Sequence, residues 1–252
     1  YFNTNKISGI GVCHSVYLTG IPLRIAQSKK IDCFAISGFN CDLVNLVNSI
    51  SYKNKTNGTD IHYKYYNEIF SKFPKKIKNE YLILGKKILD DFTSGKKRYF
   101  YMKNKTFSFS KSRKIKEKKS KTKVVIFAHD FVDSPHVYGN HFFTDFKSWF
   151  DFLDKIIKNT DYDWYVKVHP GANEITKNEI LKLKKDNKKI KILKKNFPNN
   201  HLVKIGVKFV LTVFGTIASE LPPCGIRVIN ASKNTPHYNY NFSLNPKNLK
   251  EY

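Results

Sequence analysis

The chain has 252 residues, 41% of them hydrophobic and 26% charged, which is enough for one large α/β domain or two small ones and too apolar for a disordered polymer. No apolar run approaches the roughly 18 to 20 residues that a membrane-spanning helix needs, and the opening Tyr1-Phe2-Asn3-Thr4-Asn5-Lys6 is not a signal peptide. The net charge of +25 raises a nucleic-acid or anionic-membrane partner, but Lys, Asn, Ile, Phe and Tyr are all abundant while Arg and Ala are scarce, the mark of an AT-rich genome.

The N-terminal part is read first. Val16 to Lys29 has helical periodicity, with Ser15 as N-cap and Pro22 where the helix bends or restarts. Ile31 to Ile36 reads as a strand, and Ile61 to Phe70 and Lys76 to Asp91 as helices. Gly85-Lys86 and Gly95-Lys96 lack the frame of a phosphate-binding P-loop. Residues 1–110 are too short for a complete six-stranded dinucleotide-type fold, so they are read as a smaller or incomplete α/β part. With no initiator Met, the chain is expected to be a fragment or a processed product. Cys13, Cys33, Cys41 and Cys224 form no Cys-x-x-Cys pair, so reduced, buried thiols in a cytoplasmic protein are expected.

Residues 111–123 mark the clearest boundary. Eight of the 13 are basic and only Ile115 is apolar, so the run cannot bury a face and reads as a solvated linker. No aromatics interleave its charges, as base stacking would want, and no nucleic-acid partner is expected.

From 124 to 252 the pattern becomes regular. Val124 to Ala128 is a continuous apolar run, as in a buried parallel strand. Phe142 to Ile157 carries a helical stripe through Phe146, Trp149, Phe150, Leu153 and Ile157. Trp164 to Val168 is a strand, Glu174 to Lys185 a helix and Ile190 to Leu193 a short strand. Phe209 to Val213 is a strand, Thr216 to Leu221 begins a helix, and Arg227 to Asn230 is the last strand. Such alternation predicts an α/β fold with a parallel, Rossmann-type sheet and helices on both faces.

Three constellations follow predicted strands, where the ligand crevice of a parallel α/β sheet lies. The first holds His129, Asp130, Asp133, His136 and His141. It fits a general acid/base group, a metal site or a hydrogen-bonded loop scaffold; its spacing is not diagnostic of a metal, and none is expected. His129, Asp133 and His136 are its catalytic candidates. The second is Lys167-Val168-His169-Pro170: an imidazole at a strand tip, fixed by proline, donates to a phosphate or contacts a base or ribose. The third is Gly215-Thr216-Ile217-Ala218-Ser219-Glu220. Gly215 permits close backbone approach, and a helix start offers N–H groups and its dipole to an anion. The hydroxyls of Thr216 and Ser219 add hydrogen bonds there, and Glu220 accepts from ribose hydroxyls. A plain capping box accounts for the same residues.

Lys167 to Pro170, Gly215 to Glu220 and Gly225-Ile226-Arg227-Val228-Ile229-Asn230 resemble the donor-binding domain of GT-B glycosyltransferases of the capsule and lipopolysaccharide type. The likeness is to Kdo transferases and, more distantly, to bacterial sialyltransferases. Val16 to Ala26 and the ending from Pro236 to Tyr252 are also similar. The resemblance implies that His169 contacts the nucleotide or its phosphate, that Gly215, Thr216 and Ser219 hold the phosphate, and that Glu220 lies near the ribose. It implies a CMP- or UDP-linked donor without cofactor or metal, a glycan or lipid-linked glycan acceptor, residues 1–110 on the acceptor side and residues 124–252 on the donor side. A cytoplasmic enzyme, peripheral on the inner face of the plasma membrane, is expected, since its positive field attracts anionic headgroups. A nucleotide-sugar epimerase of the UDP-GlcNAc 2-epimerase type and a basic nucleic-acid-binding protein remain the rival readings.

Overall fold

The computed structural model describes residues 3–12, 17–36, 44–46, 61–93, 121–133, 141–194, 197–232, 235, 238 and 240–252. The chain divides into two compact units, Tyr1–Ile69 with His136–Gly139, and Phe70–Pro135 with Asn140–Tyr252. Residues 111–120 of the basic run, and Ser15, lie outside the described residues.

In the first unit, strand β1 (Gly9–Val12), helix α1 (Tyr17–Ser28) and strand β2 (Asp32–Ile36) form a βαβ crossover. Strand β3 (Val44–Leu46) pairs antiparallel to β2. The crossover buries Val12, Leu23, Ala26 and Cys33 together. Pro22 sits inside α1 rather than ending it. The helix closes on Lys30 at φ 60, a left-handed C-terminal position that normally favours glycine.

Helix α2 (Ile61–Lys72) is followed, after Pro74, by helix α3 (Lys75–Thr93). Both agree with the periodicity to within a few residues.

The second unit holds a five-stranded parallel sheet, β4 (Lys123–Phe127), β5 (Asp163–Lys167), β6 (Lys191–Leu193), β7 (Val207–Thr212) and β8 (Arg227–Asn230), in the order β6-β5-β4-β7-β8. Helix α4 (Phe146–Lys158) and helix α5 (Glu174–Asp186) cover one face. Helix α6 (Asn199–Lys204) and the single turn α7 (Ile217–Glu220) cover the other. Strand alternation sorts the side chains. Val124 and Ile126 join Trp149, Leu153 and Trp164 on one side, while Val125 joins Leu202, Val210 and Leu221 on the other. Register with β4 slips at the start of β7, where Lys123 pairs with Val207 and Val124 with Phe209. The extra residue, Lys208, is a bulge. It lets Val207 and Val210 share a face although three positions separate them.

Two helices differ from expectation. Helix α4 starts at Phe146 and not at Phe142, because the Asp145 carboxylate caps it by accepting from the Ser148 amide at 2.7 Å. Helix α7 lasts four residues, since Pro222 and Pro223 cannot continue it and the chain turns instead into a short 3-10 helix, Pro222–Cys224.

Candidate active site at the strand ends

The strand β4 comes first in the chain of this sheet and lies at its centre. The chain adds β5 and β6 on one side and then returns to add β7 and β8 on the other. The order reverses between β4 and β7, and in open α/β sheets the usual ligand position is at the carboxyl ends of the strands beside such a reversal. The three predicted constellations leave the sheet from β4, β5 and β7, which are neighbours.

His129 spans that reversal. Its Nε2 accepts the backbone N–H of Val213 at 3.2 Å and of Phe214 at 3.4 Å, and lies 3.1 Å from the Thr212 hydroxyl. The Thr212 oxygen in turn accepts the Gly215 amide at 3.2 Å. Amide donors at Nε2 require the tautomer that carries its proton on Nδ1. The ring stacks on Phe146 at 4.6 Å and tilts against Phe214 at 4.6 Å. Burial in this aromatic sandwich, aided by the nearby His169 and His141, lowers its pKa to about 3. A neutral imidazole with its lone pair engaged clamps the β7 turn. It is not poised to take a proton from a ligand.

His169 is built differently. The Gly171 amide donates to its Nδ1 at 3.1 Å, leaving Nε2 to carry the proton of the neutral ring, with no partner for it among the described residues. The side chain is exposed. Partial desolvation lowers its pKa, opposed by the charges of Asp130 and Asp133. Pro170 turns the chain directly after it. Asp130 holds the adjoining loop in place. Its Oδ1 accepts the Thr176 hydroxyl at 2.7 Å, and that same oxygen of Thr176 accepts the Phe131 amide at 2.7 Å. The β4 tip is thereby tied to the start of α5.

The third constellation is a tight turn. A Cβ on Gly215 would fall 2.8 Å from the Thr212 oxygen, so the bond that braces His129 depends on glycine here. Thr216 is exposed and its hydroxyl bonds the Glu220 carboxyl. The Ser219 hydroxyl donates to the Thr216 carbonyl at 2.8 Å. The amides of Thr216 and Ile217 have no partner among the described residues.

Lys167 and Glu220, expected to face the ligand, lie inside. They are 6% and 7% exposed. The Lys167 ammonium donates to the Phe197 carbonyl at 2.8 Å and to the Asn199 side chain, and sits over the Phe127 ring. Burial depresses its pKa to about 8, against the pull of Glu220, whose own pKa burial raises. Lys167 thereby fastens β5 to the start of α6. Asp133 is exposed and within electrostatic reach of His169, whereas His136 lies outside the described residues. His141, part of the first constellation but not one of its catalytic candidates, has its Nδ1 2.9 Å from the Ser232 hydroxyl and its ring 5.1 Å from Phe214. Among the described residues no three His, Cys, Asp or Glu side chains are grouped as a metal ion would require.

The chain has the fold of a solved glycosyltransferase. The structure of KpsC, a beta Kdo 2,4 transferase from Thermosulfurimonas dismutans, matches it with a TM-score of 0.63 over 96% of this chain and 74% of that one, at 13% identity. No protein-family model matches the sequence, and no curated protein does. Against KpsC, the Rossmann-like reading of the parallel sheet stands. Sequence reasoning missed Thr212 and Thr176, the two hydroxyls that brace the strand tips, because a threonine at a strand end or in a helix start carries no chemical signature of its own.

Proposed function

We propose that this chain is a glycosyltransferase that moves a sugar from a CMP- or UDP-linked donor to a bacterial surface polysaccharide. The observation that carries the reading is the pairing of a KpsC-like fold with donors at strand tips on either side of β4: the Nε2–H of His169 at β5, and the Thr216 and Ile217 amides after β7.

In the transfer, the bond from the sugar's anomeric carbon to the phosphate oxygen breaks and the nucleotide leaves with the electron pair. The acceptor oxygen forms the new bond and loses its proton to a base. Hydrogen-bond donors fixed where charge grows on the leaving phosphate lower the barrier without reorganising. His169, Gly215, Thr216 and Ser219 are assigned to that phosphate. Ser219 contributes by turning its hydroxyl from the Thr216 carbonyl to the ligand. Glu220 supports Thr216 from below. Asp133 or His136 is assigned as base, since His129 has its lone pair committed to backbone amides. Residues 124–252 act on the donor and residues 1–110 on the acceptor.

A thermal-shift panel of CMP, CDP, UDP, GDP and ADP tests the reading, because a ligand that binds only the folded state raises the melting temperature. A cytidine or uridine nucleotide is expected to raise it, and Thr216→Ala/Ser219→Ala to lose the rise. No rise with any nucleotide overturns the proposal, and isomerisation of a donor sugar without acceptor replaces transfer by epimerisation.

A further inference from the structure

Helix α3 exposes an apolar face that a soluble helix would normally bury. Ile77, Tyr81, Leu84 and Ile88 recur at intervals of three and four residues and form one stripe. Tyr81 is 52% exposed, Leu84 50% and Ile88 49%. The face is held in shape at its start, where the Tyr81 ring stacks on Phe73 at 5.5 Å and the Lys78 ammonium donates to the Ser71 carbonyl at 2.7 Å. Lys75, Lys76, Lys78, Lys86 and Lys87 share the helix with the stripe.

We infer that α3 lies on an anionic lipid surface, stripe downward, and anchors the protein there peripherally. Charge decides the occupant. The 30 residues that follow α3, 94–123, contain thirteen Lys or Arg against one acid, Glu117, close to half of the chain's net +25. That density next to the helix attracts anionic headgroups over the Debye length. The stripe then buries its apolar side chains at the acyl boundary. Both contributions are needed, because an exposed stripe of this size and a basic segment each give only weak, reversible attachment. A second copy of the chain fits poorly, since two surfaces of the same strong positive charge would have to meet. Nucleic acid uses the lysines and leaves the aliphatic stripe exposed to water. At 19 residues the helix is about 28 Å long, but it is too polar to cross a bilayer. It therefore lies in the interface plane. This inference is independent of the transfer reaction and of the nucleotide.

Co-flotation of the full chain with vesicles tests it. Vesicles of phosphatidylcholine with phosphatidylglycerol are expected to carry the protein upward, and phosphatidylcholine alone to leave most of it behind. Leu84→Glu/Ile88→Glu replaces two exposed residues, so the melting temperature should hold while partition onto anionic vesicles falls roughly tenfold or more. A reporter gives a second reading. Trp149 and Trp164 are buried in the sheet's core and give the same contribution in the wild type, so the emission of Leu84→Trp minus that of the wild type reports the stripe and should shift to the blue with anionic vesicles only. Failure of the wild type to float overturns the inference. So does equal flotation of the double variant, an unshifted Leu84→Trp spectrum, or conversion by Leu84→Glu/Ile88→Glu of a self-associated form into monomer. Tighter capture by single-stranded RNA that the double variant retains also overturns it. Nucleotide binding by the double variant stays at the wild-type level, so a failure here is distinguishable from failure of the transferase reading.

Discussion

The β4 and β5 tips each carry a histidine, and the two are held in opposite ways. At β4, His129 has its Nε2 lone pair taken by the Val213 and Phe214 amides and its ring held between Phe146 and Phe214. At β5, His169 is exposed, has Nδ1 fixed by Gly171, and keeps its Nε2 proton toward the outside of the fold. One imidazole is committed to the scaffold, and the other leaves its Nε2 proton without a partner among the described residues. A histidine after a strand is therefore not informative by its position alone; the nitrogen that the backbone uses decides its role.

Three perturbations break or sharpen that contrast. The largest effect belongs to His129→Ala, which empties the aromatic sandwich and strands two amides and the Thr212 hydroxyl. A loss of about 3 kcal/mol or more is expected in urea unfolding, and nucleotide binding should fail with it. If stability were unchanged, the clamp would be refuted.

Next comes pH. The folded pKa of His129, about 3, lies below the unfolded value of roughly 6.5. Its neutral form thus contributes fully above that unfolded value. The contribution is lost as pH falls toward the folded pKa, because the unfolded state then binds the extra proton. The slope is at most about 1.4 kcal/mol per pH unit. Unfolding curves at successively lower pH should show it, and His129→Gln should flatten it. The smallest effect on stability is expected from His169→Ala, within about 0.5 kcal/mol as for other exposed positions, although ligand binding should suffer most.

The contrast also separates what was legible in the sequence from what was not. The strands β4, β5, β7 and β8 announced themselves as β-branched and apolar runs, and their order of appearance with helices between them implied a parallel sheet. Strand β1, Gly9-Ile10-Gly11-Val12, has too few large side chains to signal a strand, and β3 has three residues. Helix α6 is only six residues long and begins after a proline, below the length at which periodicity reads. The candidate site was legible only as three strand tips where glycine, proline and histidine cluster. Lys167 was misplaced toward the ligand because its partners, the Phe197 carbonyl and Asn199, lie 30 and 32 residues away. Its alternation with Tyr165 already put it on the covered face. The division between His129 and His169 was invisible, because it depends on which amides a turn 83 to 85 residues downstream delivers.

Calorimetric titration of CMP and UDP into the wild type and His169→Ala, at one pH and ionic strength, tests the central claim most directly. The strand-tip account predicts that one of the two nucleotides binds the wild type. It also predicts that His169→Ala, with its melting temperature kept, binds at least about tenfold more weakly, as loss of a hydrogen bond to a charged phosphate requires. Binding of neither nucleotide, or equal binding by both proteins, would contradict it.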